Sequence, residues 1–164
     1  MTLPGLEEYR TQAEAARSAL DPTAFLLADH EWLRFLLAEL RPRAADSAQA
    51  AELHAIIEAL EPLLDRHIRQ EEEAYFPVVD RHVRELTEGA TEDMYGEHDA
   101  IRVALSDLLG ALARGREATT AYAAFTRSLL VHFENEEELI FGEAAERLSK
   151  AERRAILEKF DSLT

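Results

Sequence analysis

The chain has 164 residues, 47% of them hydrophobic, which suits one domain with a core of its own. Its 33 acidic and 18 basic residues leave a net charge of -15, which argues against nucleic acid or an anionic membrane as partner. The absence of cysteine excludes disulfides and thiolate metal sites, and neither a secretory leader in MTLPGLEEYR nor an apolar run of about 18 residues is visible, so a cytoplasmic protein is expected.

Ala, Leu, Glu and Arg abound while Gly (6) and Pro (5) are few, a composition that favours helix over strand. An amphipathic helix is expected from near Pro4 to just before Asp21-Pro22, as an outer or lid helix. The first bundle helix follows from about Pro22, with Asp21 as N-cap and proline in the first turn. Its stripe is Leu26, His30, Leu33, Leu37 and Leu40, stepping by four and three. The second bundle helix carries Leu53, Ile57, Leu60, Leu64, His67 and Glu71, with Pro62 inside it to be kinked or accommodated. The third carries Met94, His98, Ile101, Leu105, Leu108 and Leu112, and the fourth Tyr122, Phe125, Leu129, His132, Glu136 and Leu139. Ser149 to Glu152 reads as a capping box opening a short last helix to about Ser162.

Seams of this kind predict lengthwise packing in an all-α, antiparallel up-down-up-down four-helix bundle, with extra N- and C-terminal helices. One domain over 1–164 is expected, its bundle core at about 22–148. If the four stripe histidines share one level, each turn lies midway between neighbours in the chain. The midpoints are Ser47-Ala48, His82-Val83 (between Pro77 and Gly89) and Gly115, all in polar or helix-breaking stretches.

The chain also repeats itself. HIRQEEEAYFP, from His67, aligns without a gap on HFENEEELIFG, from His132; ADHEWLR, from Ala28, aligns on GEHDAIR, from Gly96. Each half is therefore a helical hairpin with one histidine on its first helix and His-x-x-x-Glu on its second. Two hairpins related by a pseudo-two-fold axis would offer the same three groups to a shared centre.

His30, His67, Glu71, His98, His132 and Glu136 all fall on core seams. An unpaired buried carboxylate costs several kcal/mol. A neutral His–Glu hydrogen-bond network in a metal-free structural bundle is the plain alternative for any one of them. For the set, metal is the stronger reading, since His-x-x-x-Glu places imidazole and carboxylate on adjacent turns of one face. Six nitrogen and oxygen donors exceed one tetrahedral zinc. Four imidazoles and two bridging carboxylates fill about eight of roughly twelve positions of a six-coordinate pair. An oxo or hydroxo bridge takes about two more, leaving about two for a small ligand. Two iron ions fit best, manganese or another divalent metal next, and a single ion in a partly filled site last.

These residues, with DHEWLR, EEEAYFPVV and EEELIF, resemble the hemerythrin-like, or HHE cation-binding, domain over about 22–148. Oxygen-carrying members have His-x-x-x-His on the third helix, where this chain has Arg102 four residues after His98. They also use Asp five residues after the last-helix histidine, where this chain has Glu136 at the fourth position and Glu137 at the fifth. The resemblance is thus to the branch with one histidine fewer. It implies dealings with iron and a small oxidant (dioxygen, nitric oxide or peroxide), with peroxide- or nitric-oxide-directed redox activity an open question. An iron sensor or reservoir is the alternative, and an electron donor or protein partner is not specified.

Around the site, Arg34 and Arg102 are candidates to hold a ligating carboxylate from outside, against a plain surface role. Tyr75, one turn beyond Glu71, is a candidate for an open metal position or for bonding a bound ligand, against core packing. Glu72, Glu73, Glu137 and Glu138 read as solvated, with Glu72 and Glu137 in reach of metal only if a helix rotates. His54 and His82 read as exposed, and Trp32 as packing or as a wall of the pocket.

Overall fold

A computed structural model describes residues 3–83, 90–115 and 118–163. Among these residues the chain is helical, with no strand. The first helix, α1 (Leu6–Ser18), places Tyr9, Ala13 and Ala16 on its buried face. In α2 (Pro22–Ala44) the Asp21 side chain accepts from the Ala24 N–H and proline occupies the first turn, as expected. The helix runs past Leu40 and takes Pro42 into its last turn. A 3₁₀ turn at Ser47–Gln49, on the expected midpoint, leads to α3 (Ala50–Gln70), which accommodates Pro62.

The second bundle helix does not stop near Pro77. After α3 the backbone widens into a π-helical turn, Glu71–Tyr75, where the Phe76 N–H reaches the Glu71 carbonyl five residues back; α4 (Phe76–Val83) then continues. His82, expected in a turn, therefore sits in the last turn of α4, and the connection itself falls in 84–89, outside the described residues. α5 (Ala90–Ala113) and α6 (Thr119–Glu136) complete the bundle, with Gly115 between them at φ 62°. A second π turn, Glu137–Phe141, leads to α7 (Gly142–Arg147). The capping box at Ser149 and Glu152 forms and opens α8 (Lys150–Ser162).

Both π turns stand in front of a poor helix former at the same offset of the repeat, Pro77 and Gly142. Proline lacks the N–H for the next rung and crowds the carbonyl four residues back, while glycine gains least from a regular helix. An extra residue in the turn rotates the downstream side chains about the helix axis. So Leu139, expected on the stripe, is 41% exposed, and Ile140 and Phe141 are buried in its place. Every other stripe residue is buried.

The α2, α3, α5 and α6 rods pack in that cyclic order. α1 lies on α2, and α8 touches α2 and the first π turn. One apolar core runs the length of the four rods, interrupted by a cluster of buried histidines and glutamates.

Candidate metal centre

His30, His67, Glu71, His98, His132 and Glu136, from four different rods, are all buried. Their side chains form two overlapping donor sets: His30, His67, Glu71 and Glu136, and then Glu71, His98, His132 and Glu136. Within each set the donor atoms lie within 4.8 Å of one another. The pseudo-two-fold predicted from the repeat is realised, with the two glutamates common to both sets.

The Nε2 atoms all face inward. His67 Nε2 is 3.1 Å from Glu71 Oε1, and His98 Nε2 is 3.2 Å from Glu71 Oε2, so the two oxygens of Glu71 serve different sets. Glu136 Oε2 lies between His132 (3.2 Å) and His30 (3.3 Å). The Nε2 atoms of His98 and His132 are 3.0 Å apart. A spacing of about 3 Å is that of two neighbouring donors each about 2.1 Å from one ion. Both oxygens of Glu71 and of Glu136, with Nε2 of His30 and of His67, are buried without an aligned hydrogen bond. Orphaned lone pairs in an apolar core are costly. The donor chemistry and the missing partners both fit a pair of cations held by nitrogen and oxygen.

Each imidazole is held from behind through Nδ1. Asp29 takes His67 at 2.9 Å and Glu97 takes His132 at 3.0 Å. Glu137 takes His30 at 2.8 Å and Glu72 takes His98 at 2.9 Å. These carboxylates fix the tautomer that leaves Nε2 free for an ion. Two of them, Asp29 and Glu97, precede the lone histidines in the aligned acid-His phrases, a signal present in the sequence whose role spacing alone did not reveal. The other two correct an expectation: Glu72 and Glu137 are not solvated faces, because the π turns swing them against the histidines of the opposite hairpin. Arg34 and Arg102 act on this outer layer, Arg34 reaching Glu137 at 2.8 Å and Arg102 meeting both oxygens of Glu72 at 3.2 Å.

The remaining candidates lie elsewhere. The Tyr75 hydroxyl is 2.7 Å from the Thr23 hydroxyl. Trp32 does not wall the centre: it stacks on Tyr9 of α1 and donates to the Pro4 carbonyl. The walls are Phe133, stacked 3.8 Å from the His30 ring, with Phe141 behind it and Phe76 over His98. Neither outlying histidine is fully exposed: His82 is 2.9 Å from Glu152 of α8, and His54 is 3.3 Å from Glu58.

Electrostatics follow from this packing. Burial opposes charge on the imidazoles, but the carboxylates around them prevail. His30 rises to about 9 through Glu136, Glu137 and Glu71, and His132 to about 10 through Glu136, Glu71 and Glu97. His67 is raised well above its usual value by Glu71 and Asp29 against burial. Hydrogen bonding to His30, with Arg34 beside it, lowers Glu137 to about 2. In the cation-free chain these carboxylates favour the protonated forms of His30, His67 and His132.

No curated protein and no solved structure matches the chain. The family model described as the hemerythrin HHE cation-binding domain matches residues 21–159, reaching beyond the expected 148 into α8 and leaving α1 outside. By that match, and by the buried donors that accompany it, the chain belongs to the hemerythrin HHE cation-binding family.

Proposed function

We propose that the two donor sets hold a pair of iron ions, with Glu71 and Glu136 bridging them, and that the protein binds or turns over a small oxidant there. The observation that carries this reading is the sharing of both glutamates between two histidine pairs. A single-ion site has no use for a second pair on the far side of the same carboxylates.

When bound, such a pair supplies electrons and open positions for dioxygen, nitric oxide or peroxide. The chain supplies the rest. Nδ1-bonded carboxylates keep each Nε2 lone pair directed inward, and Phe76, Phe133 and Phe141 keep bulk water off the donors. Arg34 and Arg102 neutralise the outer glutamates.

Protein purified from iron-fed cells is expected to contain about two irons per chain and to show oxo-bridged ferric absorption. His67→Ala and Glu136→Ala each lose iron by elemental analysis, and full retention of both irons by either variant overturns the assignment. Bleaching by dithionite with recovery on oxygen or peroxide supports turnover. A metal-dependent melting shift with no such cycle places the protein among sensors or reservoirs instead.

A further inference from the structure

The internal repeat puts different residues at one position beside the donors: Phe133 directly after His132 in α6, Ile68 directly after His67 in α3. Phe133 is fully buried. Its ring stacks on His30 of α2, with centroids 3.8 Å apart and planes 17° from parallel, and the Arg34 guanidinium lies over it at 5.3 Å. A ring engaged by both an imidazole and a guanidinium is held in place and fills the α2/α6 seam beside His30. A cleft of about 370 Å³ on that seam has neither Phe133 nor Arg34 among its lining residues.

The α3/α5 seam is built otherwise. A cleft of about 500 Å³ opens there, lined on its apolar side by Leu64, Ile68, Ile101 and Leu105, with Asp65 and Arg102 among its polar residues. Ile68 and Ile101 are buried and form its floor. Ile68 follows His67 in the chain and Ile101 stands three residues beyond His98, so the cleft comes within a turn of a donor from each set. Arg102 holds both oxygens of Glu72 at 3.2 Å, and Glu72 in turn holds His98. Its counterpart in the repeat, Arg34, instead covers Phe133.

An aliphatic floor offers no hydrogen bond to replace the water that a polar or charged ligand must shed, so it selects for a small neutral one. An isoleucine side chain also passes between staggered wells, whereas a stacked ring moves only by giving up its stack. We infer that the α3/α5 cleft admits the small ligand, and that this ligand is a neutral diatomic, dioxygen or nitric oxide, which passes Ile68 and Ile101 to reach the His98/His132 set while Phe133 keeps the α2/α6 seam shut. The inference rests on the small-oxidant reading above and narrows it.

Two measurements test it. Xenon, an inert apolar probe, is pressed onto the zinc-loaded, diamagnetic full-length chain while isoleucine methyl signals are followed by carbon NMR. The Ile68 and Ile101 methyls are expected to shift with xenon pressure, and the Ile101 shift is lost in Ile68→Phe. Stopped-flow mixing of the ferrous-loaded chain with dioxygen, and separately with nitric oxide, then reads the rate of uptake. Ile68→Phe is expected to slow it by about tenfold and Ile68→Ala to speed it, at equal iron content, while Leu130→Phe on the α2/α6 seam leaves it unchanged. Uptake indifferent to both Ile68 variants, equal slowing by Leu130→Phe, or xenon that leaves Ile68 and Ile101 unmoved overturns the entry route and leaves the two-cation reading standing. A ferrous chain that reacts with peroxide but takes up neither gas overturns the choice of ligand. A chain that binds neither zinc nor ferrous iron overturns the two-cation reading and this inference with it.

Discussion

At the scale of single residues, the centre works through pairs in which an inward imidazole is governed by the carboxylate behind it. Removing the rear partner leaves the ligand in place but loosens it. Glu72→Gln, which weakens the acceptor for His98 Nδ1, is expected to cost about tenfold or more in cation affinity with the fold intact, measured by competition with a chelator. Protonation gives a second handle. In the cation-free chain His30 holds its proton up to about 9 and His132 up to about 10, against a usual 6.5. The folded chain thus binds more protons than the unfolded one between those values, so this contribution to stability is full below 6.5 and is lost as pH rises through 9 to 10. Cations displace these protons, so loading near neutral pH releases acid and apparent affinity climbs with pH. Proton release during titration in weakly buffered solution checks this; release of none contradicts it.

The helical elements show where spacing stops being a sufficient guide. A stripe at steps of three and four holds only while the helix keeps its pitch, and the π turns break pitch from Glu71 in one half and just beyond Glu136 in the other. Ile140, fully buried, is expected to cost about 2–5 kcal/mol when cut to Ala. Leu139→Ala, at the position the regular stripe selects, is expected to stay within about 0.5 kcal/mol. Chemical denaturation of the two variants decides which residue occupies the core, and the reverse order would mean a regular helix through 137–141. Gly142 has room for a Cβ and ordinary helical angles, so Gly142→Ala is expected to add up to about 1 kcal/mol.

For the whole molecule, six buried His and Glu side chains stand together inside a largely apolar core. The bundle is expected to be markedly less stable when its cations are stripped, because bound cation adds about 2.7 kcal/mol per site at a hundredfold excess over its dissociation constant. A thermal melt with and without chelator measures this, and coincident curves would count against any cation at the centre. The -15 charge belongs to this scale as well. Much of it is solvated surface, but Asp29, Glu72, Glu97 and Glu137 turn part of it against the centre. None of the described helices is long and apolar enough to cross a membrane.

The rods, their antiparallel order, two of the turns and the level shared by six donors were all legible in the chain, because each depends on local spacing. His30 falls on the core face by the same steps of three and four that place Leu26 and Leu33 there, and the internal repeat supplies the pseudo-two-fold without any coordinates. What local spacing does not encode is the rotation of one rod against another. The pairing of Glu137 with His30 spans 107 positions and depends on a π turn that pattern alone did not reveal. The stacking of Tyr9 on Trp32 depends on where an outer helix comes to rest. A helix face is settled by neighbours three and four residues away, whereas a side chain's partner across the core is settled only once every rod has found its place, and that was left to the tertiary structure.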